Sequence, residues 1–116
     1  MGNDLKDRTR AFALRIIRLT EALPRGRTAD VIGGQLLRCG TSVGANYRAA
    51  CRGKSRNDFV AKLGIVEEEC DEAIYWMELL VEAGIMPESR LADLMREANE
   101  ILAITVSSQK TARANK

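Results

Sequence analysis

An all-α, antiparallel up-down-up-down four-helix bundle is the fold this sequence predicts, and three features carry that expectation. Apolar residues recur in steps of three and four through four separate runs, the period of an amphipathic helix. Prolines and glycines fall between those runs, at Pro24 with Gly26, at Gly53, and at Gly84 with Pro87. No stretch alternates with period two over a useful length, which disfavours strands. The 116 residues leave room for one hydrophobic core and not two. A composition of 46% hydrophobic and 29% charged residues is that of a folded domain, and with aromatics at 4% the core must be mostly aliphatic.

The first run, Leu5, Thr9, Phe12, Ile16, Leu19 and Leu23, predicts a helix over about 4–23, closed by Pro24. Ile32, Leu36, Cys39, Val43, Asn46 and Ala50 predict a second over about 29–52, opened by Thr28 or Asp30. The third run is Phe59, Leu63, Val66, Cys70, Ala73, Met77 and Leu80, for a helix over about 56–83. Ser55 with Asp58 three residues on resembles a capping box, and Gly84 supplies a left-handed stop. Leu91, Leu94, Ala98, Ile101 and Thr105 predict the fourth over about 88–106, with Pro87 suited to its first turn and Ser89 a further cap. Residues 107–116 are polar and are expected to form a disordered tail beyond a bundle spanning 1–106. Short connections make neighbouring helices antiparallel, and three-four stepping favours shallow crossing angles.

The composition excludes several kinds of chemistry. Histidine is absent, which removes Ser-His-Asp and Cys-His catalysis and the Glu-x-x-His metal sites of helical bundles. Cys39, Cys51 and Cys70 cannot all pair within one chain, and none belongs to a Cys-x-x-Cys that could close a zinc set. No apolar run has the length of a signal peptide or a membrane span, so a reduced, cytoplasmic protein without cofactor or membrane partner is expected. Gly53-Lys54-Ser55 ends like a P-loop, but Arg48 stands where that motif needs its first glycine and no strand precedes it. Glu67, Glu68, Glu69, Asp71 and Glu72 crowd a turn and a half of the third helix. Successive helical residues diverge, so this cluster reads as solvated and ion-paired surface, with Glu69 and Glu72 meeting basic partners. An enzyme is not expected.

Charge is distributed unevenly although the net value is only +2. Residues 1–62 carry 13 Lys/Arg against 5 Asp/Glu, and residues 63–100 carry 2 against 11. Two readings stand: neutralisation between packed helices or subunits, or a basic surface for phosphates. Arg38, Thr41, Ala45, Arg48 and Arg52 step down one face of the second helix, followed by Lys54, Arg56 and, one turn into the third helix, Lys62. Arginine forks suit phosphate or carboxylate, and pairing with Glu69 and Glu72 accounts for part of the same set without nucleic acid. Sequence-specific readout has no visible motif.

The second helix also carries Gly33, Gly34, Gly40 and Gly44 in its interior, each costing about 1 kcal/mol relative to alanine. Gly33, Leu37, Gly40, Gly44, Tyr47 and Cys51 line a second stripe where another backbone must come close. That stripe is read as a contact with another subunit, with tight packing inside one bundle as the alternative.

Leu23-Pro24, Gln35-Leu36-x-Arg38, Ser42-Val43-Gly44-Ala45-Asn46, Ser55-x-x-Asp58-Phe59 and Glu72 are similar in order and spacing to a known family. It is that of the four-helix-bundle proteins encoded in intervening sequences of 23S ribosomal RNA genes, related to accessory proteins of diversity-generating retroelements. The resemblance covers about Phe12 to Leu102. It implies a non-enzymatic homopentamer with a basic surface and, by the retroelement relatives, binding of RNA or DNA and of a reverse transcriptase. The chain departs after Asn46, where Tyr47-Arg48-Ala49-Ala50 replaces the commoner Ile-Ala-Glu-Gly, so an acidic group is lost and a basic one gained. Asn46 on an apolar stripe is an amide in need of partners. Gln35, Arg38, Ser42, Asn46 and Glu72 are therefore read as a polar network that fixes helix register.

Overall fold

Four α-helices make up the computed structural model, which describes residues 2–115: α1 Gly2–Glu21, α2 Arg27–Cys51, α3 Arg56–Glu82 and α4 Glu88–Ala114. The apolar stripes close on one core running the length of a 49 × 20 × 19 Å rod. Phe12, Leu36, Leu63, Met77, Leu80, Leu91 and Ile101 are fully buried within it. The helices pack in a ring, α1 on α2, α2 on α3, α3 on α4 and α4 back on α1.

Neighbours run antiparallel, as the cross-helix contacts show. Later positions of α2 meet earlier positions of the chain: Gly33 faces Leu23 just past the end of α1, Gly40 faces Ile16 and Gly44 faces Thr9. Between α3 and α4, Gly64 lies by Gln109, whereas Cys70 further along donates its Sγ–H to the Ala98 carbonyl at 3.2 Å.

The α2–α3 and α3–α4 turns follow the local chemistry. Ser55 caps α3 by accepting from the Asp58 amide at 3.0 Å. The Asp58 carboxylate reaches back to the Lys54 amide at 3.3 Å, one residue earlier than in the usual reciprocal box. Removing this cap in Ser55→Ala is expected to lower unfolding free energy by about 1 kcal/mol in urea titration. At the other end of α3, Gly84 takes φ +73°. The Ile85 amide then donates to the Leu80 carbonyl at 2.9 Å and the Gly84 amide to Val81 at 3.0 Å, the two bonds of a Schellman stop.

Three boundaries differ from expectation. Gly26, not Thr28 or Asp30, precedes α2, and Pro87 is the residue before the first turn of α4 rather than in it. The larger correction concerns 107–114, expected as disordered tail and found as the end of α4. Thr105 and Gln109 extend the buried stripe of Ala98 and Ile101. The Gln109 amide, oriented by its neighbours, donates to Glu67 Oε1 at 2.7 Å and accepts from the Gly64 amide at 3.0 Å. A buried glutamine with both ends satisfied holds this segment against α3, and Gly64 leaves it the space.

The glycine stripe is likewise corrected. A β-carbon at Gly33 would lie 2.8 Å from Leu23 Cδ1, and one at Gly40 would lie 2.8 Å from Ile16 Cγ1. At Gly44 it would lie 3.2 Å from the Thr9 carbonyl oxygen. What these glycines admit belongs to the same chain, the side chains of Leu23 and Ile16 and the backbone of Thr9, so their faces are already occupied. Tyr47 is buried at the end of the stripe, beside Cys51, and Leu37 alone of the five contact residues expected here is exposed.

Candidate nucleic-acid interface

Where α1 begins and α2 ends, their outer surfaces enclose an open groove of about 560 Å³. Its floor is built from small residues, Thr9, Ala13, Thr41, Gly44 and Ala45, and its rims carry Lys6, Arg10, Arg48 and Arg52 with one carboxylate, Asp7. The floor exists because Gly44 brings α1 close, and short side chains on either side leave the space above it empty. Lys6 and Arg10 are four apart on α1, as are Arg48 and Arg52 on α2, so each pair shares a helix face. All four are exposed, and among the described residues none makes an ion pair. The positive end of the α1 macrodipole and the negative end of that of α2 meet here and oppose each other, so the field of the groove comes from its side chains.

Arg38 has a different fate from Arg48 and Arg52. Its guanidinium binds Glu69 at 3.2 Å, Glu72 at 2.5 Å and the side-chain Oε1 of Gln35 at 3.3 Å. Glu72 in turn accepts from Trp76 Nε1 at 3.1 Å. Arg38 is thus spent on joining α2 to α3. Lys62 is half-buried and tied to Asp58 at 3.3 Å. Lys54 and Arg56 are exposed at the α2–α3 turn and do not line the groove.

The expected polar network divides in two. Gln35, Arg38, Glu69, Glu72 and Trp76 form a cross-helix cluster at the surface. Asn46 is only half-buried, and its amide donates at 2.9 Å to the backbone carbonyl of Ser42 in its own helix. It therefore links no two helices, because one turn of α2 satisfies it locally.

The matching clamp on the far side was not foreseen. Arg8 grips Glu97 through Nη2 at 2.6 Å and Nε at 3.0 Å, and Glu100 through Nη2 at 2.9 Å. The hydrogen bonds from Glu97 and then Glu100 raise its pKa further above the usual arginine range. Each clamp joins an arginine of the basic half to two glutamates of the acidic half. Lys6 and Arg10 were also missed. Their spacing was visible, but only the α1–α2 register puts them opposite Arg48 and Arg52.

Among the described residues no group of three metal-ligating side chains comes together and no helix is long and apolar enough to cross a membrane. Fold and surface thus define an all-α four-helix bundle with an open groove rimmed by exposed cations. Residues 3–107 match the family model of the 23S rRNA-intervening sequence protein, and the chain belongs to that family. It is also similar to a crystal structure of a protein with unknown function from the S23 ribosomal protein family of Bacteroides thetaiotaomicron. That likeness has a TM-score of 0.88 at 36% identity, covering 94% of this chain and 97% of the other. No curated protein shows significant similarity.

Proposed function

We propose that this protein is a non-enzymatic, homo-oligomeric bundle that holds RNA or DNA, without strict sequence preference, in the α1–α2 groove, as an accessory of a ribonucleoprotein. The observation that carries this reading is the convergence of Lys6, Arg10, Arg48 and Arg52 on one groove with no carboxylate paired to any of them among the described residues. Charges that serve the fold are paired, as Arg8 and Arg38 are; unpaired ones held together on a surface attract polyanions. The family's name, which refers to ribosomal RNA, agrees with such a partner. Self-assembly would use side chains other than the glycines of that stripe. Val31 and Leu37 on α2 and Ile65 and Tyr75 on α3 are exposed apolar side chains that offer contacts for it.

Fluorescence anisotropy with generic RNA and DNA oligonucleotides across a salt series tests the reading. Four phosphates neutralised along a single strand give a slope of log K against log salt of about −3, from ~0.7 per contact. The double variant Arg48→Gln/Arg52→Gln is expected to flatten that slope by about 1.4 and weaken binding at every salt. Both side chains are exposed, so the melting temperature should be unchanged. Absence of any binding at about 50 mM salt would overturn nucleic-acid binding and leave a protein-interaction scaffold. Light scattering that shows a monomer at micromolar concentration would overturn assembly.

A further inference from the structure

We propose that the bound nucleic acid is a single strand that leaves the α1–α2 groove, crosses α1 diagonally over Leu14 and ends in a second basic pocket between α1 and α4. The inference rests on the reading of the groove as a phosphate site and extends it to a path. Lys6, Arg10, Leu14 and Arg18 are successive i+4 positions of α1 and form one ridge of that helix. Each step along such a ridge advances about 6 Å and turns about 40° around the axis. From Lys6 to Arg18 the ridge therefore covers about 18 Å and swings about 120°, from the α2 side of α1 to its α4 side. At the far end Arg15, Arg18 and Arg90 surround a pocket of about 250 Å³ floored by Leu19, Ala22 and Leu94. These three arginines are exposed and make no ion pair among the described residues. Arg90 stands in the first turn of α4, whose macrodipole adds positive potential there. Asp7 and Glu21 flank the ridge, so cations outnumber carboxylates along it.

Two features of this path select a single strand. A ridge that winds about 120° around a helix only ~10–12 Å across is far too sharply curved for a duplex, whose persistence length is about 150 base pairs. Between the two cation clusters the ridge presents Leu14, a large apolar side chain 46% exposed to water with no charge of its own to offer a phosphate. A base or sugar lying on it would bury apolar surface, and single strands have unpaired base faces to offer.

A 5′-phosphorylated dinucleotide, too short for the ~18 Å ridge, and a single strand of about 16 nucleotides separate the groove from the full path, with a duplex matching the long strand as control. The exposed-surface variant Arg18→Gln/Arg90→Gln is expected to weaken the long strand about tenfold and to flatten its salt slope by about 1.4, leaving the short strand unchanged. Leu14→Ser is expected to weaken the long strand on the order of threefold with no change in slope, because apolar burial releases no counterions. Arg48→Gln/Arg52→Gln should weaken both strands. If Arg18→Gln/Arg90→Gln leaves the long strand untouched while Arg48→Gln/Arg52→Gln weakens it, the path is wrong and the groove stands. A duplex bound as tightly as the strand, with the same dependence on Arg18 and Arg90, would also overturn the path. Indifference of both strands to Arg48 and Arg52 would remove the groove itself.

Discussion

Valine in place of Gly40 is expected to destabilise the bundle by about 3 kcal/mol, the upper end of what overpacking costs, whereas alanine in place of Gly34, six residues earlier in α2, should stabilise it by up to ~1 kcal/mol. The two glycines carry the same helix-propensity penalty and differ only in what lies opposite. Nothing lies within 4 Å of a β-carbon built at Gly34. At Gly40 the same carbon would meet Ile16 Cγ1 at 2.8 Å, Cγ2 at 2.9 Å and Cβ at 3.2 Å. Ile16 is fully buried, and its branch at Cβ leaves it one good rotamer in a helix, so it cannot swing aside. Relief must come from separating α1 from α2. Urea midpoints measure both effects, and Ile16→Ala supplies the second arm of a double-mutant cycle. Ile16→Ala alone should cost about 2–4 kcal/mol by leaving a cavity. Combined with Gly40→Val it should cost at least ~1 kcal/mol less than the sum, because the valine enters the space vacated. An additive cycle would mean that α1 does not sit on Gly40. So would a Gly40→Val variant of native stability and altered oligomeric state, the result that the subunit-contact reading of the stripe requires.

That stripe shows where sequence reasoning reached its limit. The four helices were legible because their signals are local: stepping of apolar residues, Ser55 and Asp58 at a start, Gly84 at a stop. Antiparallel order followed from short connections. A row of missing side chains is also local, and it says correctly that something approaches closely. It does not say whose backbone approaches, and here it is α1. The end of α4 was misread for a related reason. Ser107, Ser108, Gln109 and Lys110 look like a solvated tail, and only the positions of Gly64 and Glu67 on α3 reveal that Gln109 is buried with both amide ends bonded. Half of the groove was readable, because Arg48 and Arg52 share a face of one helix. The other half depends on register between helices, which also decided that Arg38, on the same face, would be consumed by Glu69 and Glu72.

Alkaline pH is expected to unfold this protein through two thiols. Cys39 and Cys70 are wholly enclosed. Burial pushes each thiol from the ordinary 9.0 up to about 12, with the Glu72 charge adding to the shift at Cys39 and the Asp71 charge at Cys70. In the unfolded chain both would ionise from pH 9.0, while the native state keeps its protons to about 12. Within that window the folded form binds more protons than the unfolded one, so stability falls as pH rises. The contribution is fully present below pH 9.0 and gone above about 12. Each thiol contributes a limiting slope of about 1.4 kcal/mol per pH unit, so together they remove close to 3 kcal/mol per unit in the middle of the range. Burial also pushes the Tyr47 hydroxyl up to about 12, and a variant separates its effect from that of the thiols. Cys39→Ala/Cys70→Ala should be less stable than the parent at neutral pH, because it leaves two small cavities. Its urea midpoint should then decline more gently above pH 9.0, and the two curves should converge or cross. Cys51 is exposed and remains in the variant, so it serves as an internal control. Parallel curves from neutral pH to pH 11 would show that the buried thiols do not set the alkaline limit of the fold.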